Sequence, residues 1–152
     1  MEEAETCYSR AIVLKPGYAE AYNNLGNMLK ELGRFDDAEA NYIWAIILKP
    51  DYAEAHRHLS TMKTFNSKNQ NYLKMHELCL DENISDEQRC HINFGLAKAC
   101  EDLEDFRQAF VHYNKGNELR KKLLNYHINR DAKIFEKIKS NSLHIAQNSL
   151  KP

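Results

Sequence analysis

Eleven residues near the start of the chain recur 34 positions further on. Ala4, Tyr8, Ala11, Ile12, Leu14, Lys15, Pro16, Tyr18, Ala19, Glu20 and Ala21 correspond to Ala38, Tyr42, Ala45, Ile46, Leu48, Lys49, Pro50, Tyr52, Ala53, Glu54 and Ala55. A period of this length, carried by small and apolar positions, belongs to helical repeat arrays. In such an array each unit buries its apolar face only against its neighbours, so the fold grows lengthwise and offers a long surface. The chain is therefore constrained to be a stack of helices, and its function to what such a surface can do.

The clearest unit is 19–52. It reads as two helices, Ala19–Leu32 and Asp36–Leu48, joined by a turn at Gly33-Arg34. Pro50 stops the second helix, because proline lacks the amide donor and restricts the residue before it. Within the unit, Tyr22, Leu25, Gly26, Leu29, Ala38, Tyr42, Ala45 and Pro50 stand where the tetratricopeptide repeat has its signature residues, and the unit resembles that family. The resemblance implies an all-α fold, a tetratricopeptide-repeat α-solenoid of antiparallel helix pairs. About seven helices would curve into part of a right-handed superhelix. It also implies that Gly26 and Ala38 face each other where the helix axes come closest, with Leu25, Leu29, Phe35 and Tyr42 filling the space around them. Trp44, one step off that stripe, is expected to pack against a neighbouring repeat.

The repeat frame divides 1–123 into a half repeat (1–18), a full repeat (19–52), a degenerate repeat (53–84) and a further repeat (85–123). Glu2–Leu14 is a second helix without its first. Tyr8 and Ile12 are therefore expected to expose apolar surface and to favour self-association through the open N-terminal half repeat. Ala53–Phe65 reads as the first helix of the next unit. Its partner departs from the pattern, since the frame puts Tyr72 at a small position; a helix near Tyr72–Leu80 is expected to be shifted or splayed. Ser85, with Gln88 three residues on, has the pattern of a capping box. Asp86–Asp102 and Phe106–Leu123 then restore the hairpin. There Leu96, Ala97, Cys100, Phe106, Ala109, Phe110, Tyr113 and Leu119 fall on core positions. Gly116, where alanine is expected, marks a close contact above it. In 124–152, Asp131–Lys139 is amphipathic through Ile134, Phe135 and Ile138 and reads as a cap on the last apolar face. Ser140–Pro152 reads as a polar, fraying tail or linker. The segments HRHLSTMKTF (His56–Phe65), FGLAKACEDLEDFRQAF (Phe94–Phe110) and GNELR (Gly116–Arg120) carry a second resemblance. They are similar to the repeat region that precedes the sulfotransferase domain of bacterial tetratricopeptide-sulfotransferase proteins.

Composition narrows the function. Of 152 residues, 43% are hydrophobic and 28% charged, as in an ordinary globular domain. A formal net charge of −1 gives no field that would gather nucleic acid or an anionic membrane. No apolar run approaches the length of a membrane span. Neither nucleic acid nor membrane is expected as a partner. The acidic, amphipathic start, MEEAETCYSR, does not read as a secretory signal. Cys7, Cys79, Cys90 and Cys100 lack paired spacing, so a cytoplasmic chain with mostly buried free thiols is expected. Cys79, Cys90, His91 and Cys100 lack the close ligand pairs of zinc sites, and adjacent helical residues such as Cys90 and His91 point about 100° apart. His56 and His58, two apart, do not share a helix face. No metal and no cofactor is expected. The five glycines are scattered and form no phosphate-cradling loop. The chain by itself is read as non-catalytic.

The family resemblance implies a concave face built from the first helices. On this chain it carries Glu20, Asn23, Asn24, Asn27, Lys30 and Glu31, then Glu54, Arg57, His58, Thr61, Thr64 and Phe65, then His91, Phe94, Lys98, Glu101 and Asp102. The peptide-binding candidates among them are Asn23, Asn24, Asn27, Lys30, Arg57, His58, Thr61, His91 and Lys98. Asparagine can donate to and accept from a peptide backbone with one side chain. Asn24 matches the asparagine-ladder position in the repeats of O-linked N-acetylglucosamine transferase, which this unit also resembles. Arg57, His58 and Lys98 suit an acidic or C-terminal carboxylate group. The expected function is a protein- or peptide-binding scaffold, the substrate-recruiting part of a larger sulfotransferase-like protein. A free-standing adaptor is the alternative, and a small enzyme or metal-binding helical protein stands outside both.

Overall fold

The computed structural model describes residues 2–125 and 131–139, and short turns fold their helices back on one another. The order is α1 (Glu2–Leu14), α2 (Ala19–Glu31), α3 (Phe35–Leu48), α4 (Ala53–Ser60), α5 (Gln70–Leu80), α6 (Asp86–Asp102) and α7 (Phe106–Leu123). A further helical stretch occupies 131–139, and no strand occurs among the described residues. The tail expected at Ser140–Pro152 lies outside the described residues.

The turn between α2 and α3 depends on Gly33, which takes the left-handed φ of 75°. Arg34 N–H then reaches back to the Leu29 carbonyl at 2.9 Å, closing the end of α2. The same turn recurs between α6 and α7, where Asp105 N–H bonds the Cys100 carbonyl at 2.9 Å. Here the left-handed position is held by Glu104, at φ 61°. A side chain at that conformation bears strain that glycine would not.

α2 and α3 come closest at Gly26. A β-carbon there would stand 2.7 Å from the ring of Tyr42. Gly26 is packed on the Tyr42 ring, and Ala38, expected opposite Gly26, is fully buried one turn earlier in the same core. Tyr42, Ala38, Leu25, Met28 and Leu29 form the first core, and Tyr8, Ile12, Leu59 and Met62 pack on it. Tyr8 and Ile12 therefore lie half-buried against this core, which corrects the expectation that they are open; the strongly exposed apolar residues of α1 are Val13 and Leu14. Phe35, Phe106 and Phe110 also leave the core, each more than half exposed. Phe35 and Phe106 open their helices, where a side chain leans back over the preceding turn rather than across to the partner helix. Phe110 follows the buried Ala109 and points away from it. Trp44 stacks on Tyr22 of its own hairpin, ring centroids 6.2 Å apart, rather than on a neighbouring repeat.

The second unit is shorter than its frame. α4 ends at Ser60 instead of running to Phe65. Ser60 Oγ donates to the Arg57 carbonyl at 2.6 Å and Thr61 Oγ1 to that of His58 at 2.8 Å. Such back-bonding competes with the next helical turn. The chain then drops Phe65 into a second core with Tyr72, Met75, Ile92 and Leu96, and the Phe65 amide donates to Asp102 at 3.0 Å. Asn69 caps the start of α5, its side chain accepting from Tyr72 N–H at 3.0 Å. It packs chiefly on α6, as does α4, and α4 and α5 meet only slightly. The bulk of Tyr72, buried in the second core, accounts for the displacement. The Ser85–Gln88 capping box is present at the start of α6. In 131–139, Ile134, Phe135 and Ile138 are all half or more exposed. The thiols divide between surface and core: Cys7 is exposed, Cys79 half-buried, Cys90 and Cys100 buried, where mostly buried thiols were expected.

Two substitutions test this packing. Gly26→Ala is expected to destabilise by about 1–2 kcal/mol net, because overpacking against the Tyr42 ring outweighs alanine's higher helix propensity. Glu104→Gly is expected to stabilise by roughly 0.5–1 kcal/mol through relief of the left-handed strain. Thermal unfolding followed by circular dichroism reads both. An unchanged midpoint for Gly26→Ala would contradict the close approach at residue 26.

Candidate functional site

The 34-residue period lines up the side chains of α2, α4 and α6. Asn23 of α2 meets His58 of α4 through Oδ1 and Nδ1, 3.1 Å apart. Lys30 Nζ donates to Thr61 Oγ1 at 3.1 Å. Arg57 Nη1 donates to His91 Nδ1 of α6 at 3.3 Å, so a neutral His91 carries its proton on Nε2. The Arg57 guanidinium also lies over the Phe94 ring, 5.3 Å from its centroid. Phe94 in turn is seated on Gly116 of α7, where a β-carbon would stand 3.2 Å from the ring. Gly116 does mark a close contact, and it sets the floor under Arg57.

The other expected residues are placed differently. Asn24 is exposed, while Asn23 is fully buried, its amide nitrogen without a hydrogen-bond partner. Turning that amide by half a rotation would give the nitrogen to His58 Nδ1 and set the His58 proton on Nε2, facing Glu54 at 3.9 Å. Asn27 Oδ1 accepts the Tyr42 hydroxyl at 2.8 Å. Lys98 pairs with Asp102, so this ammonium is tied to the carboxylate that also holds the Phe65 amide. Burial alone would raise the Asp102 pKa, but those hydrogen bonds bring it below its usual value. Phe65 is a core residue and leaves the face. Lys30 and Arg57 form no ion pair among the described residues.

Electrostatics follow from this arrangement. Burial, then Arg57, Lys30 and His91, push the His58 pKa down to about 4. Burial and Arg57 likewise lower that of His91. The face thus carries Arg57 and Lys30 as cations and Glu31 and Glu54 as carboxylates, with two imidazoles held neutral among them. Sequence reasoning assigned Tyr42 to the core and missed its reach: its hydroxyl bonds Asn27, and its ring lies 5.3 Å from that of His58. The available signal was the choice of tyrosine at a buried position, since its hydroxyl needs a partner. Cys90 turns inward to the Gly116 carbonyl at 3.4 Å while its neighbour His91 faces Arg57. Among the described residues no three His, Cys, Asp or Glu are grouped to hold a metal, and no helix is long and apolar enough to cross a membrane.

A tetratricopeptide repeat family model matches residues 19–52, and a TPR repeat model matches residues 1–33. Residues 1–52 are similar to tetratricopeptide repeats. The architecture is an all-α tetratricopeptide-repeat solenoid, a type of array that generally serves as a non-catalytic scaffold for protein interaction. No curated protein matches the chain.

The depressed imidazoles make stability depend on pH. In the unfolded chain these histidines titrate near 6.5; in the fold they stay neutral to lower pH, His58 to about 4. Between those values the unfolded state binds more protons, so stability is lost as pH falls. His58→Gln is expected to flatten the decline in melting temperature from pH 6.5 to 4. An identical slope in the variant would show that His58 is not held neutral.

Proposed function

We propose that the concave face of this solenoid binds a protein or peptide segment bearing a carboxylate. The observation that carries this reading is Arg57, half-buried, held between Phe94 and His91, and without a carboxylate of its own among the described residues. A guanidinium fixed in that way has donors left for a bidentate partner. Lys30, bonded only to Thr61, adds a second cation along the face. Asn24, exposed on the same helix as Lys30, supplies backbone recognition. Lys98, bound to Asp102, serves mainly to hold the third unit against the Phe65 loop. The resemblance of the middle segments supports a role as the substrate-recruiting part of a larger sulfotransferase-like protein, without chemistry of its own. A free-standing adaptor would use the same face in the same way.

Fluorescence anisotropy with labelled acidic peptides, each made with a free and an amidated C-terminus, tests the reading. The free acid is expected to bind more tightly. Asn24→Ala with Arg57→Ala should weaken binding by at least about a hundredfold, since hydrogen bonds to charged groups are worth about 1.5–3 kcal/mol each. Equal binding by wild type and double variant, with helicity unchanged, would move the site off the concave face.

A further inference from the structure

Arg57 and His91 are joined by a contact that only one charge state of the imidazole allows. Arg57 Nη1 donates to His91 Nδ1 at 3.3 Å, and a guanidinium has no acceptor to offer in return. His91 receives this bond only while Nδ1 keeps its lone pair. A protonated ring would turn an N–H toward the guanidinium and be repelled by it. The contact itself therefore opposes proton uptake at His91. Burial acts in the same direction: the imidazole is half-buried, and its pKa lies below the ordinary 6.5, first through burial and then through Arg57. Charged groups act on this ring from each element around it. α4 presents Arg57 and, one turn earlier, Glu54; α6 itself contributes Glu87, one turn before His91. α7 contributes Arg120, one turn beyond the Gly116 that seats Phe94. The two arginines and the two glutamates oppose each other, so burial decides the direction.

An anion seated on Arg57 reverses this balance. The guanidinium and imidazole nitrogens are 3.3 Å apart, so one carboxylate reaches both. It supplies the acceptor that the pair lacks once His91 is protonated. We infer that a carboxylate bound at Arg57 is shared with a protonated His91, so that capture of the partner takes up a proton from solvent and tightens as pH falls. This rests on the carboxylate reading of the concave face and adds its regulation. His91 becomes a second donor, through Nδ1–H, while Arg57 keeps its place over Phe94, 5.3 Å from the ring centroid. His58 is not the responding group. Its Nδ1 is tied to Asn23, its ring packs on that of Tyr42, and a pKa of about 4 keeps it neutral until far lower pH. The sign follows from linkage. With the carboxylate bound, His91 holds its proton to higher pH than without it. Between the two values the complex carries more protons, and affinity rises as pH falls. Uptake of one proton limits the slope to about tenfold per pH unit.

Fluorescence anisotropy with the labelled acidic peptide bearing a free C-terminus, between about pH 7.5 and 5.5, tests this. The peptide's carboxylates titrate near about 4 and stay ionised throughout. Kd is expected to fall by at least about threefold over the range. Calorimetry near about pH 6.5 in phosphate and in Tris, buffers of different ionisation heat, is expected to show a proton taken up on binding. His91→Gln keeps an acceptor for Arg57 but cannot take up the proton, so its affinity should not vary with pH and its binding heat should not depend on the buffer. The calorimetry on the unaltered chain stands whether or not that variant folds, which circular dichroism checks. Binding that is independent of pH, with no buffer-dependent heat, would overturn the inference and leave the carboxylate reading standing. A pH slope that persists in His91→Gln would overturn it as well, by assigning the proton to another group. Absence of binding at every pH would overturn the carboxylate reading and this inference with it.

Discussion

Tyr42 joins the two things this structure has to do. Its ring is fully buried and lies on Gly26, which sets how closely α2 and α3 approach. Its hydroxyl emerges at Asn27 and its ring edge meets His58, both on the concave side. Burial, with Glu54 and Glu31, raises the phenol's pKa to about 12, so the hydroxyl remains a donor at any physiological pH. A change that moved this ring would shift the hairpin and the face together. Core packing and the polar surface are thus not independent properties of the unit, and the side chains of α2 and α4 inherit their register from one buried tyrosine.

The parts of the fold that were legible in the sequence are those the 34-residue period enforces. α2 and α3 end within one residue of their expected limits because Gly33 and Pro50 terminate them chemically. α6 and α7 have the expected bounds for the same kind of reason: a capping box at Ser85 and a left-handed turn at Glu104. What was not legible depends on side-chain hydroxyls and on small displacements between helices. Ser60 and Thr61 end α4 early by bonding back to Arg57 and His58, an effect with no periodic signature. Phe35, Phe106 and Phe110 have the right spacing for a core but lie where the partner helix does not reach. In the candidate site, Arg57 and His91 were brought together by the period itself, 34 residues apart. The capture of Lys98 by Asp102 was not foreseeable in the same way, because an i,i+4 pair on a helix is optional until the Phe65 amide fixes the carboxylate.

Charge is paired over much of the surface. Lys49 is held by Glu20, Lys63 by Glu39, Lys122 by Asp86 and Arg34 by Glu5 and Asp37. These exposed pairs add little stability individually. On the concave face itself Arg57 and Lys30 form no ion pair among the described residues, and Glu31 and Glu54 lie beside them. The same two cations, after burial, keep His58 neutral. The concave face is therefore mixed in charge, like the chain as a whole with its net charge of −1.

The concave and outer surfaces differ in chemistry as well as in position. On the concave side, Arg57 gains by meeting a carboxylate because its aromatic platform and His91 already fix its orientation, so little side-chain entropy is lost on binding. On the outer side of α3, Ile43 and Ile47 are exposed and apolar, and Trp44 stacks on Tyr22. α3 packs on both α2 and α4 and carries Tyr42, so the outer and concave faces are built on one hairpin. A change in the packing of α3 would therefore reach the concave register through the Tyr42 ring on Gly26 and its hydroxyl on Asn27, which is the mechanical consequence of building both faces on one pair of helices.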